Sequence, residues 1–265
     1  MTTRKTALGD GDTIGFIGVG EIARAMVEGL AGGPGAPAIV LSPRSRETSA
    51  ELTKRYPQVS VAADNQAVVE AAGTIVLAVR PDQLHEAIAE LNFGADTLII
   101  SVLAGVSAAE VAAAAGGGVE VVRAIPMPPV SHRAGLTVVW PEHPVSNGLF
   151  DLLGGALVVA DEAQLSVFSA ATGAVTGALE YIRQVAVWTA QQGVPPQVAE
   201  PFIRATFAGL APALSDSSRD MAELVRDHET HGGLNEQLRT GFFDEEGRSR
   251  LVRELDGLHT RAAQG

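Results

Sequence analysis

The stretch Ile14-Gly15-Phe16-Ile17-Gly18-Val19-Gly20-Glu21-Ile22-Ala23 decides how this chain is read. It is a short apolar run, then Gly-x-Gly-x-x-Ala, then the start of an amphipathic segment. That is the strand, glycine loop and helix that hold the pyrophosphate of a dinucleotide. Gly18 allows the tight turn, Gly20 lets the backbone approach a phosphate with no Cβ in the way, and Ala23 is small enough for the helix to pack on the strand. The N–H groups at the helix start, around Glu21 and Ile22, have no partner within the helix and bring a partial positive charge to the phosphates. The motif alone is weak, and the strand before it and helix after it give it weight.

Outward from this loop, apolar runs alternate with amphipathic segments as far as residue 160, the rhythm of βαβ units. Strands are predicted at 13–18, 38–42, 74–79, 97–101, 119–124, 136–140 and 156–160. Several are apolar on both faces, as a sheet covered by helices requires. Helices are predicted at 21–31, 46–55, 66–71, 81–90, 107–115 and 145–153; Pro81 opens one, and Ser107 with Glu110 forms a capping box. The fold class is therefore an α/β, Rossmann-like N-terminal domain with an open parallel sheet, over 13–160. After Asp161 the strands stop and helical patterns follow at 162–192, 196–215, 221–226, 234–240 and 245–262, giving an all-α C-terminal domain over 161–265. Residues 1–12 read as a disordered leader.

The chain has 265 residues, 46% of them hydrophobic and 19% charged, which suffices for a filled core and excludes disorder as its main state. A net charge of −12 makes nucleic acid and anionic lipid poor partners, so an anionic ligand needs a local site. There is no cysteine, hence no disulfide and no thiolate chemistry, which suits the cytoplasm. The longest apolar runs, 74–79 and 97–105, are far short of the roughly 20 residues that cross a bilayer, so a soluble protein with no membrane partner is expected.

The end of the second strand distinguishes the two nicotinamide dinucleotides. An NAD site places a carboxylate there for the ribose 2′-hydroxyl. This chain has Leu41-Ser42-Pro43-Arg44-Ser45-Arg46, with no acid before Glu47. Ser42, Arg44 and Ser45 are donors suited to a 2′-phosphate, so NADPH is expected over NADH.

Several stretches taken together resemble the pyrroline-5-carboxylate reductases, which complete proline biosynthesis by reducing a cyclic imine. They are 14–30, Asp64-Asn65, Val76-Leu77-Ala78-Val79-Arg80-Pro81, Ser101-Val102-Leu103-Ala104-Gly105-Val106-Ser107, and Val122-Arg123-Ala124-Ile125-Pro126-Met127-Pro128-Pro129. The resemblance implies that Asn65 contacts the adenosine ribose, that Ala78, Val79, Arg80 and Pro81 line the dinucleotide, and that Ala104 lies near the nicotinamide. It also implies a homo-oligomer through the helical domain and a small carboxylated imine as substrate, its carboxylate held by a glycine loop reached from a partner subunit. Thr230-His231-Gly232-Gly233-Leu234-Asn235 stands in that loop's place, so Gly232, Gly233, Leu234 and Asn235 are the candidate substrate residues. Successive N–H groups of a Gly-Gly turn before a helix can hold a carboxylate by backbone alone.

The chain departs from the family pattern at Glu21, Met127, His231 and Asn235, and in 171–177, where Val175 falls. The departures cluster where substrate is expected. No acid–base pair is legible; a protonated cyclic imine needs none, and His231 is the candidate proton donor. His228-Glu229-Thr230-His231 lacks the spacing of a helical zinc site, so no metal is expected. Arg123 reads as support for the turn 126–129. Tyr181, Val185, Val187 and Trp188 read as core or interface packing at helical spacing. Two alternatives stay open beside reduction of 1-pyrroline-5-carboxylate: a related imine or ketimine reductase with another substrate, and an NADP(H)-binding sensor without turnover.

Overall fold

The computed structural model describes residues 11–264, so the leader expected at 1–12 lies, but for its last two residues, outside the described residues. The chain forms two compact units, one running to Ser169 and joined by residues from Thr260 onward, the other spanning Ala170–His259. The first contains β1 (Thr13–Ile17), α1 (Glu21–Ala31), β2 (Ala38–Leu41), α2 (Arg46–Arg55), β3 (Val59–Val61), α3 (Asn65–Ala71) and β4 (Thr74–Leu77). A 3-10 turn, Pro81–Gln83, leads into α4 (Leu84–Ile88), followed by β5 (Leu98–Ser101), α5 (Ala108–Ala114) and β6 (Glu120–Ile125). After a second 3-10 turn, Pro128–His132, come β7 (Thr137–Trp140), α6 (Pro144–Asp151), β8 (Ala156–Val158) and the start of α7 (Glu162–Thr172).

The strands form one sheet in the order β3-β2-β1-β4-β5-β6-β7-β8. Its side chains alternate between two apolar layers. Ile14, Phe16, Ile39, Leu41, Val76 and Ile100 pack with α1 and α6 on one face. Ile17, Ile75, Leu77 and Ile99 pack with α3, α4 and α5 on the other. Burial on both faces explains the continuous apolar runs in the sequence. The capping box is present, Ser107 Oγ accepting from Glu110 N and Glu110 accepting from Ser107 N. The Ser107 hydroxyl, with its N–H, holds the Glu110 carboxyl below the usual range.

Three expectations are corrected. The sheet is mixed, because β6 and β7 pair antiparallel; the segment 126–136 holds only a 3-10 turn and is too short for the helical crossover a parallel return needs. A strand missing from the prediction, β3, extends the sheet beyond β2; its three residues include one buried apolar side chain, Val59, too weak a pattern to read. The unit boundary falls at 169/170, not at 160/161. The first turns of α7 belong to the sheet unit because Leu165 is buried with Val138 and Val159, and Glu162 accepts from Arg123 Nη1 at 3.0 Å and Ala108 N at 2.8 Å. Arg123 therefore anchors α7 instead of supporting the 126–129 turn.

The second unit holds α8 (Ala174–Gln191), α9 (Pro196–Ala208), α10 (Ala211–Ser215), α11 (Met221–Asp227), α12 (Leu234–Phe242) and most of α13 (Glu245–Gln264). The helix expected over 162–192 is divided at Gly173, whose N–H reaches back to Ala170 O at 3.0 Å and against which Leu258 of α13 packs closely. The stretch 196–215 is likewise divided, at Gly209 and Leu210. By length and composition alone, 162–191 is long and apolar enough to cross a membrane, which the apolar runs had not suggested. A bidentate pair of Glu180 and Arg183 sits near the middle of α8. None of the 18 residues of α8 is buried, and Leu179, Trp188 and, on α9, Phe202 are at least 60% exposed.

Candidate functional site

β1 turns into α1 on one face of the sheet while its neighbour β4 leads to α4 on the other, so the strand order reverses between them. Open α/β sheets bind ligands at that switch point, beyond the carboxyl ends of the strands. A cleft of about 170 Å³ lies there, walled by the loop Gly18 to Gly20, by Ser42, Arg44 and Ser45 after β2, by Asn65, and by residues 78–80, 83 and 87.

Gly18 has φ +88, and a Cβ there would lie 2.6 Å from Ala78 O, so both conformation and space demand glycine. Its N–H donates to Ser42 Oγ at 3.0 Å. Ser42 is only 1% exposed; its Oγ accepts from the phosphate loop, a bond that leaves the hydroxyl's own hydrogen to donate, and the residue walls the cleft. Arg44 and Ser45 line that end of the cleft too. Asn65 follows the true N-cap, Asp64, and its Nδ2 donates to Ala87 O at 3.0 Å, fastening α4 to the wall. One N–H of the amide expected on a ribose is thus engaged with the protein, and Asn65 still walls the cleft.

Ala78, Val79 and Arg80 line the cleft as expected from the resemblance, whereas Glu21, Ile22, Pro81 and Ala104 are not on its wall. Gln83 and Ala87 line it too and were not foreseen. Their only sequence signal is Pro81, which starts the 3-10 turn that folds this segment back over the strand ends.

Gly20 is the informative position. Its φ of −79 and ψ of −171 suit any residue, and no heavy atom lies within 4 Å of where a Cβ would stand. The protein itself does not require glycine here. A side chain would instead enter the open space at the start of α1, where a pyrophosphate approaches the backbone most closely, so the residues present fit a dinucleotide.

In the second unit the turn 230–233 leads into α12, whose first residues are Leu234 and Asn235. Gly233 N donates to Thr230 O at 2.7 Å, Leu234 is 84% exposed, and the His231 side chain is fully exposed with Nδ1 3.6 Å from Glu236 Oε2. The four candidate substrate residues lie together where the turn enters α12, but three donors, Gly233 N among them, are engaged within the chain. Asn235 Nδ2 donates to His228 O at 2.7 Å, and Gly232 N donates to Glu236 Oε2 at 2.5 Å. The dense His-Glu-x-His segment separates into unrelated contacts: His228 Nδ1 meets Leu224 O at 2.7 Å, and Glu229 pairs with Arg239, which holds its carboxyl below the usual range. Of the other departures, Met127 precedes the 3-10 turn, its carbonyl accepting from Val130 N, and Val175 is 51% exposed on α8.

Residues 13–105 match the family model described as NADP oxidoreductase coenzyme F420-dependent. The pyrroline-5-carboxylate reductase of Mycobacterium tuberculosis (strain H37Rv) is 30% identical over 244 residues, which cover 85% of this chain and 78% of that protein. Among solved structures, a pyrroline-5-carboxylate reductase from Coxiella burnetii superposes with a TM-score of 0.83 at 24% identity, covering 96% of this chain and 98% of that one. The Plasmodium falciparum pyrroline carboxylate reductase with NADP bound gives 0.80 at 15% identity, covering 96% and 98%. These two establish likeness of fold.

A doubly wound sheet with a glycine loop at its switch point, followed by a helical unit, defines an NAD(P)H-dependent oxidoreductase, of the class that acts on C=N bonds. Within that class, the chain belongs to the pyrroline-5-carboxylate reductase family, as a divergent member.

Proposed function

We propose that this protein reduces the C=N bond of a cyclic imine with NADPH, and that 1-pyrroline-5-carboxylate, reduced to L-proline, is its substrate. The observation that carries this is the open space over Gly20, in a cleft whose far end holds Arg44 and Ser45 where an NAD site would hold a carboxylate. NADPH, when bound, supplies a hydride to the imine carbon. The loop Gly18 to Gly20 and the start of α1 hold the pyrophosphate, and Arg44 and Ser45 hold the 2′-phosphate. The imine nitrogen is basic enough to enter already protonated, so the chain's task is position and electrostatics.

Loss of NADPH absorbance in the presence of 1-pyrroline-5-carboxylate, 1-pyrroline and further cyclic imines, run in parallel with NADH, tests this. We expect turnover of 1-pyrroline-5-carboxylate with kcat/KM for NADPH at least about tenfold above that for NADH. Equal constants for both cofactors would end the assignment of Arg44 and Ser45. NADPH binding without oxidation by any imine would make the protein a sensor.

One observation favours a related reductase with another substrate. Gly232 N, a donor that a substrate carboxylate would use, already serves Glu236. Under that reading 1-pyrroline, which lacks the carboxylate, is reduced faster than 1-pyrroline-5-carboxylate.

We further propose a cytoplasmic homo-oligomer built on the second unit. A helix of 18 residues rich in Ala and Val with none buried leaves an apolar groove between α8 and α9, walled by Leu179, Ile182, Val187, Ile203 and Phe207. The charged pair Glu180–Arg183 within the same helix favours a protein partner over lipid. Sedimentation equilibrium at micromolar concentration should give a dimer or larger assembly, and a mass of 27.4 kDa would refute it.

A further inference from the structure

Both cations that wall the dinucleotide cleft are paired with carboxylates from a single segment. Arg80 Nη2 lies 3.4 Å from Asp82 Oδ2, and Arg44 Nη2 donates to Glu86 Oε1 at 2.8 Å. The second pair joins distant parts of the chain, the loop after β2 and the exposed side of α4. Glu86 cannot drift from the rim, because α4 is held by its buried Leu84, Ala87 and Ile88 and by the Asn65 bond to Ala87 O. Its own side chain is 64% exposed, so packing does not account for a carboxylate at this position.

We propose that Glu86 is a specificity-determining residue that sets how strongly the cleft prefers NADPH over NADH, by acting as a built-in counter-ion on Arg44. The proposal rests on the reading of this cleft as the dinucleotide site and of Arg44 as the partner of the 2′-phosphate. A phosphate with nearly two negative charges must displace or share the guanidinium with Glu86, against like-charge repulsion. In return Glu86 keeps Arg44 positioned, but an ion pair this exposed contributes only a fewfold preference for that position. Repulsion therefore outweighs positioning. NADH, with a neutral 2′-hydroxyl, needs no displacement and is indifferent to the pair. Glu86 thus tempers the NADPH preference that Arg44 creates.

The test is direct binding, by titration calorimetry, of NADPH and of NADH to the native protein, Glu86→Gln and Glu86→Lys, at low and high salt. Glu86→Gln is expected to lower the Kd for NADPH about threefold to tenfold and Glu86→Lys further, with the Kd for NADH unchanged within twofold. The NADPH gain should shrink at 0.5 M NaCl, because exposed charges are screened. Equal shifts for both dinucleotides, an unchanged Kd for NADPH, or weaker NADPH binding in Glu86→Gln would each overturn the proposal while leaving the cleft a dinucleotide site. Failure of the native protein to bind either dinucleotide would overturn that reading, and this proposal with it.

Discussion

Replacing Gly29 by alanine is expected to lower stability by about 2–4 kcal/mol, although helix propensity alone favours alanine by about 1 kcal/mol. Gly29 is buried on α1, and a Cβ there would lie 2.1 Å from Val130 O and 2.7 Å from Leu153 Cδ2. A backbone carbonyl in a 3-10 turn cannot rotate away as a side chain can, so α1 must shift bodily. That helix carries Met26, Val27 and Leu30 into the main core, and the loop Gly18 to Gly20 that leads into it walls the cleft. For a chain of this size the thermal midpoint should fall by roughly 5–15 °C. Gly177→Ala in α8, where no atom lies within 4 Å of the added methyl, is the control and should be neutral or slightly stabilising. Equal midpoints for Gly29→Ala and Gly177→Ala would show that α1 is not held against the Pro128–His132 turn in this way.

Gly20→Val separates folding from binding in the opposite sense. The native backbone at Gly20 suits valine and the space around it is empty, so the variant should fold with a midpoint within about 2 °C of the native protein. Its side chain enters the open space at the start of α1, the place of closest backbone approach to a pyrophosphate, and NADPH affinity should drop at least about 100-fold. In the native protein, NADPH at 100 times its Kd adds about 2.7 kcal/mol of stability, and at the same concentration that increment should fall to about 0.4 kcal/mol or less in the variant. A thermal shift with and without NADPH reads both effects at once. Native-like NADPH binding by Gly20→Val would move the dinucleotide away from this loop.

Gly18 and Gly20 thus differ in why they are glycine, though the motif treats them alike. Gly18 is imposed by a positive φ and by Ala78 O, and its substitution should damage the fold as well as binding. No contact within the fold imposes Gly20, and the proposed dinucleotide is what would require it.

What adjacent residues encode was legible without the structure: the loop from Gly18 to Ala23, the buried strands β1, β2, β4 and β5, and the capping box of Ser107 and Glu110. These depend on residue order within one turn or one strand, where pattern, propensity and capping act together. The family resemblance placed Ala78, Val79 and Arg80 beside the cleft for the same reason, since they follow the end of β4 directly. Long-range contacts decided the remainder. Ser42 looks like a donor alone until its Oγ is seen to accept from the N–H of Gly18, 24 positions earlier. Asn65 is drawn to Ala87, 22 positions later, and Arg44 to Glu86, 42 positions later. The direction of β7, the attachment of α7 through Arg123 and Glu162, and the engagement of Gly232 by Glu236 are likewise decided by which groups folding brings within bonding distance. Sequence determines which side chains can hold a phosphate or a carboxylate, and the tertiary structure decides which of them another part of the chain already engages, because folding alone brings groups tens of positions apart within bonding distance, whether buried as at Ser42 or exposed as at Arg44.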